Sequence, residues 1–192
     1  MKRVEQKEER RENILKAALN LFIEKGYAAT RTIDIAKSVG MSEGLLFHYF
    51  ESKEKVYYAL IEIGLSNMNM SFEFDDTKPI VFFENVASFI IDNCKNSSMA
   101  AKLFILMNYA EYDQSLDINL RSRIAGKHEL EETAKIVERG QNDGSIRGGD
   151  PLALSLLFWT TINGVIINMV RNPEIVVPDV EWIVDILRNN RG

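Results

Sequence analysis

One cysteine, two histidines and four prolines in 192 residues exclude several kinds of protein at the outset. A lone thiol, Cys94, cannot close an internal disulfide, which fits a reducing compartment; Cys94 itself reads either as a small buried filler or as a redox thiol. Four Pro and eleven Gly are few breakers for this length. With no convincing alternation of polar and apolar residues, that scarcity leans the chain towards helix. A cationic excess is missing as well: 23 Lys+Arg face 28 Asp+Glu, a formal charge of −5. That balance argues against coating nucleic acid by charge alone, while leaving room for a local basic patch. The first residues, MKRVEQKEERRENILKAAL, hold no apolar stretch of the secretory kind, so a cytoplasmic protein is expected.

Catalytic and metal-binding patterns are also lacking. His48 and His128 are the two histidines, and no H-E-x-x-H, G-x-S-x-G or G-x-x-x-x-G-K-[ST] occurs. Carboxylates such as Glu129, Glu131 and Glu132 read as a solvated helix face. No enzyme activity, metal or cofactor is expected.

What is present is a large apolar content, 46% of residues. Surface scaling at this mass buries about 70% of the unfolded chain's area, enough for one or two real cores. Ile14, Leu15, Ala18, Leu19, Phe22 and Ile23 recur at three- and four-residue spacing and predict an amphipathic helix over Arg10 to Lys25, stopped by Gly26. A second helix is predicted from Thr32 to Val39, capped by Thr30 or Thr32 and with Asp34 in its first turn. Gly40 stops it, Ser42 caps a third through about Tyr49, and Ser52 caps a fourth from Lys53 to about Met68. After the polar stretch Asn69 to Pro79, further helices are predicted at Ile80 to Asn93, Ser98 to Tyr112, Leu120 to Gln141, Asp150 to Arg171 and Asp179 to Asn189.

One of these, PLALSLLFWTTINGVIINMV from Pro151 to Val170, is twenty residues without a charge and long enough to cross a bilayer. Ser155, Thr160, Thr161, Asn163 and Asn168 interrupt it and no Lys/Arg clusters flank it, so a buried helix and no membrane partner are expected. Such a helix must cover both faces: one meets its own core, the other a second subunit.

The segment TIDIAKSVGMSEGLLFHYF, Thr32 to Phe50, has the make-up of a helix-turn-helix. Ala36 is the small residue where two helices cross, Gly40 tolerates the turn, and Ile35, Val39, Met41, Leu46 and Tyr49 stand at packing positions. With its flanks, Ile14 to Leu60, it resembles the TetR family of bacterial regulators. The resemblance rests on Phe22, Gly26 and Tyr27, then Ala29-Thr30, Asp34-Ile35-Ala36, Gly40, Ser42, Gly44, Leu46-Phe47, Tyr49-Phe50 and Ser52-Lys53-Glu54.

The resemblance implies an all-α fold: an N-terminal three-helix helix-turn-helix DNA-binding domain, residues 1–55, and a C-terminal helical bundle for ligand binding and dimerisation, residues 56–192. The third helix is expected in the major groove, presenting Ser42, Glu43, Gly44, Leu45 and His48, with Tyr49 beside them. Thr32 matches a phosphate-facing position at the start of helix two, Phe47 the family's usual backbone-contacting tyrosine, and Lys53 its phosphate-binding lysine. Arg31 joins them by charge and placement. Two positions depart from the family pattern: Phe47 has no hydroxyl to donate and Leu45 offers only apolar contact; Glu43, acidic where a neutral or basic residue would sit more easily beside DNA, either accepts from a cytosine amino group or turns to solvent. His48 has the alternative of a solvated helix residue.

In the remainder, the resemblance implies a homodimer joined by the helices at Leu120 to Gln141 and Asp150 to Arg171, with Leu156, Trp159, Thr160, Asn163 and Ile167 divided between interface and pocket. A small-molecule effector is expected among the helices starting at Ile80, Ser98 and Leu120, under helix four. Phe89, Phe104, Met107, Tyr109 and Tyr112 are its candidate lining, and Asn108 or Asn163 its polar anchors; each is otherwise ordinary core. The expected function is that of a ligand-responsive, sequence-specific transcriptional repressor on a near-palindromic double-stranded operator, with helix four as the lever. An activator, or a helical small-molecule sensor with a vestigial DNA-binding unit, is the alternative. The charge divides accordingly: residues 1–55 hold eleven Lys+Arg against nine Asp+Glu, and the rest twelve against nineteen.

Overall fold

The computed structural model describes residues 2–71, 74–110, 112–114, 116–125 and 129–189. Among them are ten helices: α1 (Lys2–Lys25), α2 (Thr32–Ser38), α3 (Glu43–Phe47), α4 (Lys53–Ser71), α5 (Pro79–Asn96), α6 (Ser98–Ala110), α7 (Ile118–Ala125), α8 (Glu129–Asn142), α9 (Pro151–Arg171) and α10 (Val180–Val184). The all-α expectation is met.

Three departures from the sequence reading are large, while the other boundaries fall within three residues of it. Helix α1 starts eight residues before Arg10. Its added turns are rich in Glu, Lys, Arg and Gln, which favour helix without needing a buried face, and Val4 among them is exposed. The single helix expected over Leu120 to Gln141 is two, α7 and α8, on either side of residues 126–128, which lie outside the described residues, as does His128. Helix α10 is five residues rather than eleven. Beyond it the chain bridges the loop before α9: Arg147 N–H donates to Leu187 O at 2.8 Å and Asn189 N–H to Ser145 O at 3.2 Å. Backbone groups satisfied across space no longer need the next helical turn.

Two apolar cores divide the molecule. The first joins the stripe of α1 (Ile14, Leu15, Ala18, Leu19, Phe22) to Ile35 and Ala36 of α2, Leu46 of α3 and Val56, Tyr57, Leu60, Ile61 and Leu65 of α4. It continues past residue 55 onto one side of α6, through Leu103, Leu106, Met107 and Ala110. The second packs Phe82, Phe83, Val86 and Ile91 of α5 against Val137 of α8, Phe158, Trp159, Ile162 and Ile166 of α9, and Ile183 and Val184 of α10. Helix α6 serves both, since Ala101 and Ile105 belong to the second core.

Helix α9 is long and apolar enough to cross a membrane by length and composition. Its N-terminus is that of a capped helix inside a fold: Asp150 Oδ1 accepts from Ala153 N–H at 2.8 Å, and Pro151 takes the first position, where a missing N–H costs nothing. Leu154, Phe158, Trp159, Ile162 and Ile166 face the second core, while Leu152, Leu156 and Leu157 on the other side are exposed.

Candidate nucleic-acid interface

The helix-turn-helix is assembled from below by packing. Ile35 and Ala36 of α2 and Leu46 of α3 are fully or almost fully buried in the first core, and Val39, Met41 and Tyr49 pack against it half-buried. Gly40 turns the chain at φ 68°, a conformation costly for residues with a Cβ, and Met41 N–H returns to Ala36 O at 3.0 Å. Ser42 caps α3 as expected, its Oγ accepting from Leu45 N–H at 3.2 Å.

The start of α2 is built differently from expectation. Arg31 is the N-cap, and the Asp34 carboxylate reaches back to accept from Arg31 N–H at 3.4 Å. Thr30 closes α1 instead, its hydroxyl donating to Gly26 O at 2.9 Å. Thr32 Oγ1 donates to Glu43 Oε1, so the hydroxyl expected at a phosphate and the carboxylate expected at a base or in solvent hold each other. This bond ties the start of α2 to the start of α3. The Arg31 side chain, largely exposed, pairs with Asp34 and, ahead of other causes, holds that carboxyl below its ordinary range.

With the inner face locked, the outward face of α3 carries Ser42, Gly44, Leu45, Phe47 and His48. Phe47 is 45% and Leu45 37% exposed, so both are free of the core below. Lys53 points elsewhere: its Nζ donates to Tyr27 O at 2.8 Å and Thr30 O at 2.9 Å and lies 4.2 Å from the Tyr27 ring centroid. The ammonium therefore ties down the α1–α2 turn, a role that sequence spacing cannot show because its partners are carbonyls 23 and 26 residues away.

The ligand candidates scatter. Met107 is buried against α4, where Gly64 leaves room for its sulfur. Phe89 meets Phe74 edge-on at 5.8 Å, Phe104 is half-buried against the second core, and Asn108 Nδ2 donates to Phe104 O within its own helix. Tyr109 and Tyr112 are exposed and line a cavity with Phe22, Tyr27, Tyr57 and Asp113, placing it between α1, α4 and the end of α6. Tyr27 and Tyr57 were missed as lining residues; nothing in their spacing marks them, since α1 and α4 meet only in the folded chain. Asn163 Oδ1 is buried and accepts no hydrogen bond among the described residues.

Of the dimer candidates, Leu156 and Thr160 lie on the exposed side of α9 and Ile167 is half-buried. Trp159 belongs to the chain's own interior: it is 9% exposed and its indole N–H donates to Thr133 Oγ1 at 3.0 Å. An indole needs a partner when buried, and α8 supplies one.

Residues 14–60 match the family model described as bacterial regulatory proteins, tetR family. That stretch is the N-terminal part of a TetR-type regulator. Over 59 residues, 31% of this chain, it is 36% identical to the biofilm operon negative transcriptional regulator IcaR of Staphylococcus aureus. The matched stretch spans only 22–32% of the length of the curated relatives it resembles. The TetR-like fold extends further than that sequence match. The MbdR regulator of Azoarcus sp. CIB superposes with a TM-score of 0.71 at 20% identity, covering 93% of this chain and 96% of the other. AibR, solved with isovaleryl coenzyme A and operator DNA, superposes at 0.67 and 18% identity, covering 92% and 94%.

Proposed function

We propose that this TetR-like chain is a ligand-responsive, sequence-specific DNA-binding transcriptional regulator: a repressor released from a near-palindromic operator by a small hydrophobic or aromatic effector. The outward face of α3 carries the reading. Ser42, Gly44, Leu45, Phe47 and His48 stand exposed on a helix whose opposite side is locked in the core, the arrangement needed to enter a major groove. IcaR is a negative regulator and AibR binds both an acyl-coenzyme A and operator DNA; both lend support by likeness. Residues 1–55 would read DNA, and residues 56–192 would bind effector and dimerise in the cytoplasm. Asn163, its buried oxygen on α9 without a partner among the described residues, is the group best suited to accept a hydrogen bond from an effector.

A homodimer is part of this reading. Leu152, Leu156 and Leu157 leave the outer side of α9 apolar and uncovered. The chain's surface, 11236 Å², exceeds the roughly 9,300 Å² that scaling gives a compact monomer of this mass. A two-fold axis through that face would set the two α3 helices one DNA turn apart, about 34 Å.

Fluorescence anisotropy with duplexes from the DNA upstream of the chain's own gene tests the reading. A near-palindromic duplex should bind selectively and with a salt-dependent affinity, Leu45→Ala should change the preferred bases, and Lys53→Ala should weaken all sequences. Equal affinity for the duplex and its scrambled version would overturn the proposal. The salt slope separates two roles for Lys53: a phosphate contact flattens it by about one unit when removed, whereas a tether of the α1–α2 turn leaves it unchanged.

A further inference from the structure

Helix α1 continues beyond the first core towards its N-terminus. Ile14 and Leu15 are buried and Arg11 is half-buried, whereas residues 4–10 stand exposed, about two turns of helix clear of the fold. Five of the eleven Lys and Arg in residues 1–55 fall within the first eleven positions. Their arrangement is unlike that of a helix stabilised by its own surface. Opposite charges four residues apart support a helix, and like charges weaken it. Here Glu5 precedes Glu9, Lys7 precedes Arg11 and Glu8 precedes Glu12, each at that spacing and each of like sign.

At about 100° of turn per residue, Lys7, Arg10 and Arg11 share one arc of about 100°. Glu5, Glu8, Glu9 and Glu12 share another, centred about 160° away. The overhang is thus split lengthwise into a basic and an acidic stripe, at a cost to the helix that a partner outside it can offset. The basic stripe has a fixed starting point: the Arg11 guanidinium lies 4.8 Å from the centre of the Phe50 ring, and Phe50 closely follows Phe47, the last residue of α3. Lys7 is one turn further out on the same side. The stripe therefore leaves the core beside the end of α3, where Phe47 and His48 are exposed.

A deficit on the α3 side says what such a partner is. The groups that the resemblance sets against phosphates are not free to hold them. The Thr32 hydroxyl donates to Glu43, Phe47 has no hydroxyl, and Lys53 Nζ is held by the carbonyls of Tyr27 and Thr30. Two more cations of this unit are paired, Lys16 with Glu12 and Arg31 with Asp34. A helix that reads bases needs phosphate contacts to fix its register and orientation. Lys7 and Arg10 are exposed next to it.

We infer that the N-terminal overhang of α1 is a second DNA-contacting element: Lys7 and Arg10, anchored by Arg11 on Phe50, hold phosphates flanking the bases that α3 reads, and the acidic stripe faces away. A backbone contact adds affinity without sequence preference. This inference rests on the DNA-binding role proposed above, though not on which operator is bound.

Fluorescence anisotropy of the full chain tests it, with the upstream duplex and its scrambled version, between about 50 and 200 mM potassium chloride. Lys7→Gln together with Arg10→Gln should weaken both duplexes by the same factor and flatten the slope of log affinity against log salt by about two units. Glutamine keeps the helix propensity, and both positions lie outside the core, so the unfolding midpoint should not fall. Glu5→Gln together with Glu9→Gln is the control. It changes the net charge equally in the opposite sense on the far stripe and should leave the slope unchanged. An unmoved slope in the basic variant, or an equal and opposite shift in the acidic one, overturns the contact. So does binding to phosphatidylglycerol vesicles that the basic variant abolishes while the duplex slope stays put, which assigns the stripe to a membrane. Equal wild-type affinity for the two duplexes overturns the sequence-specific reading instead, and the slope on either duplex still reads the stripe.

Discussion

The two cores are built to different ends, although α6 contributes to both. In the second, rings meet edge to face in a continuous run, Phe82 to Phe83 at 5.5 Å, Phe83 to Phe158 at 4.8 Å and Phe158 to Trp159 at 5.4 Å. Its buried hydroxyls satisfy one another: Thr133 and Ser155 are hydrogen-bonded together, Ser155 also donates to Leu130 O, and Thr133 accepts from Trp159. Nothing there invites rearrangement. The first core has rings as well, with Tyr27 and Tyr57 at 4.5 Å and Phe22 edge-on to both, but their hydroxyls reach carboxylates at the margin and a cavity opens beside them. Close packing resists small displacements and favours discrete alternatives. The looser packing lies at the α1–α4–α6 junction, next to the candidate DNA-reading unit.

The sharpest way to break this contrast is Phe158→Ala. The ring is fully buried between Phe83 and Trp159, so its loss should cost about 3–5 kcal/mol in urea unfolding. A change below about 1 kcal/mol would mean that the second core is loose enough to refill the gap. Gly64→Ala probes the seam. The added Cβ would overlap Met107 Sδ and Cγ where α4 crosses α6, and overpacking of this kind should cost about 1–3 kcal/mol. A neutral result would show that Met107 moves aside, placing more freedom at the seam than its burial suggests.

A pH titration of stability compares the cores without cutting either. Tyr27 and Tyr57 have folded-state values raised above the unfolded one, chiefly by burial. Their contribution is complete below the unfolded pKa and is lost as pH climbs through the folded value, so stability should begin to fall above about pH 10. Tyr27→Phe together with Tyr57→Phe should flatten that decline, and an equal slope in the double variant would remove the tyrosines as its cause. The smallest effect belongs to Cys94 in the second core, buried and pushed up to about 12 by that burial. Its thiol should stay unreactive towards a disulfide reagent at neutral pH in the folded chain and react only as the protein unfolds. Rapid labelling under native conditions would show the second core to be open.

Much of this was readable along the chain. The three- and four-residue spacing of Ile14 to Phe22, the turn at Gly40, the Ser42 cap and the Asp150-Pro151 start of α9 act within a few residues, and local signals of that kind carry over into structure. What failed was of two sorts. Arg31 rather than a threonine caps α2, because Thr30 is drawn back to the Gly26 carbonyl and Thr32 across to Glu43. Helix α10 stops early because its last residues find partners in the loop before α9. The Thr30 bond is local, but the partners of Thr32 and of the residues after α10 are distant and cannot be seen in sequence order. The site candidates divide the same way: Leu45, Phe47 and His48 stand exposed on α3 as helical spacing requires, whereas the partners of Lys53, Met107 and Trp159 lie far along the chain and are invisible in sequence order.

By itself, then, the scarcity of Cys, Pro and Gly together with apolar spacing determined an all-α chain with a helix-turn-helix near its start, since helix formation, capping and turns are settled over one or two turns of chain. Tertiary structure alone decided that Lys53 faces the carbonyls of Tyr27 and Thr30, that α6 is shared between two cores, and that five aromatic residues from three stretches of the chain line an open cleft beside Asp113. The physical reason is one of range: a hydrogen bond or ring contact between residues dozens of positions apart exists only after packing has brought their helices together.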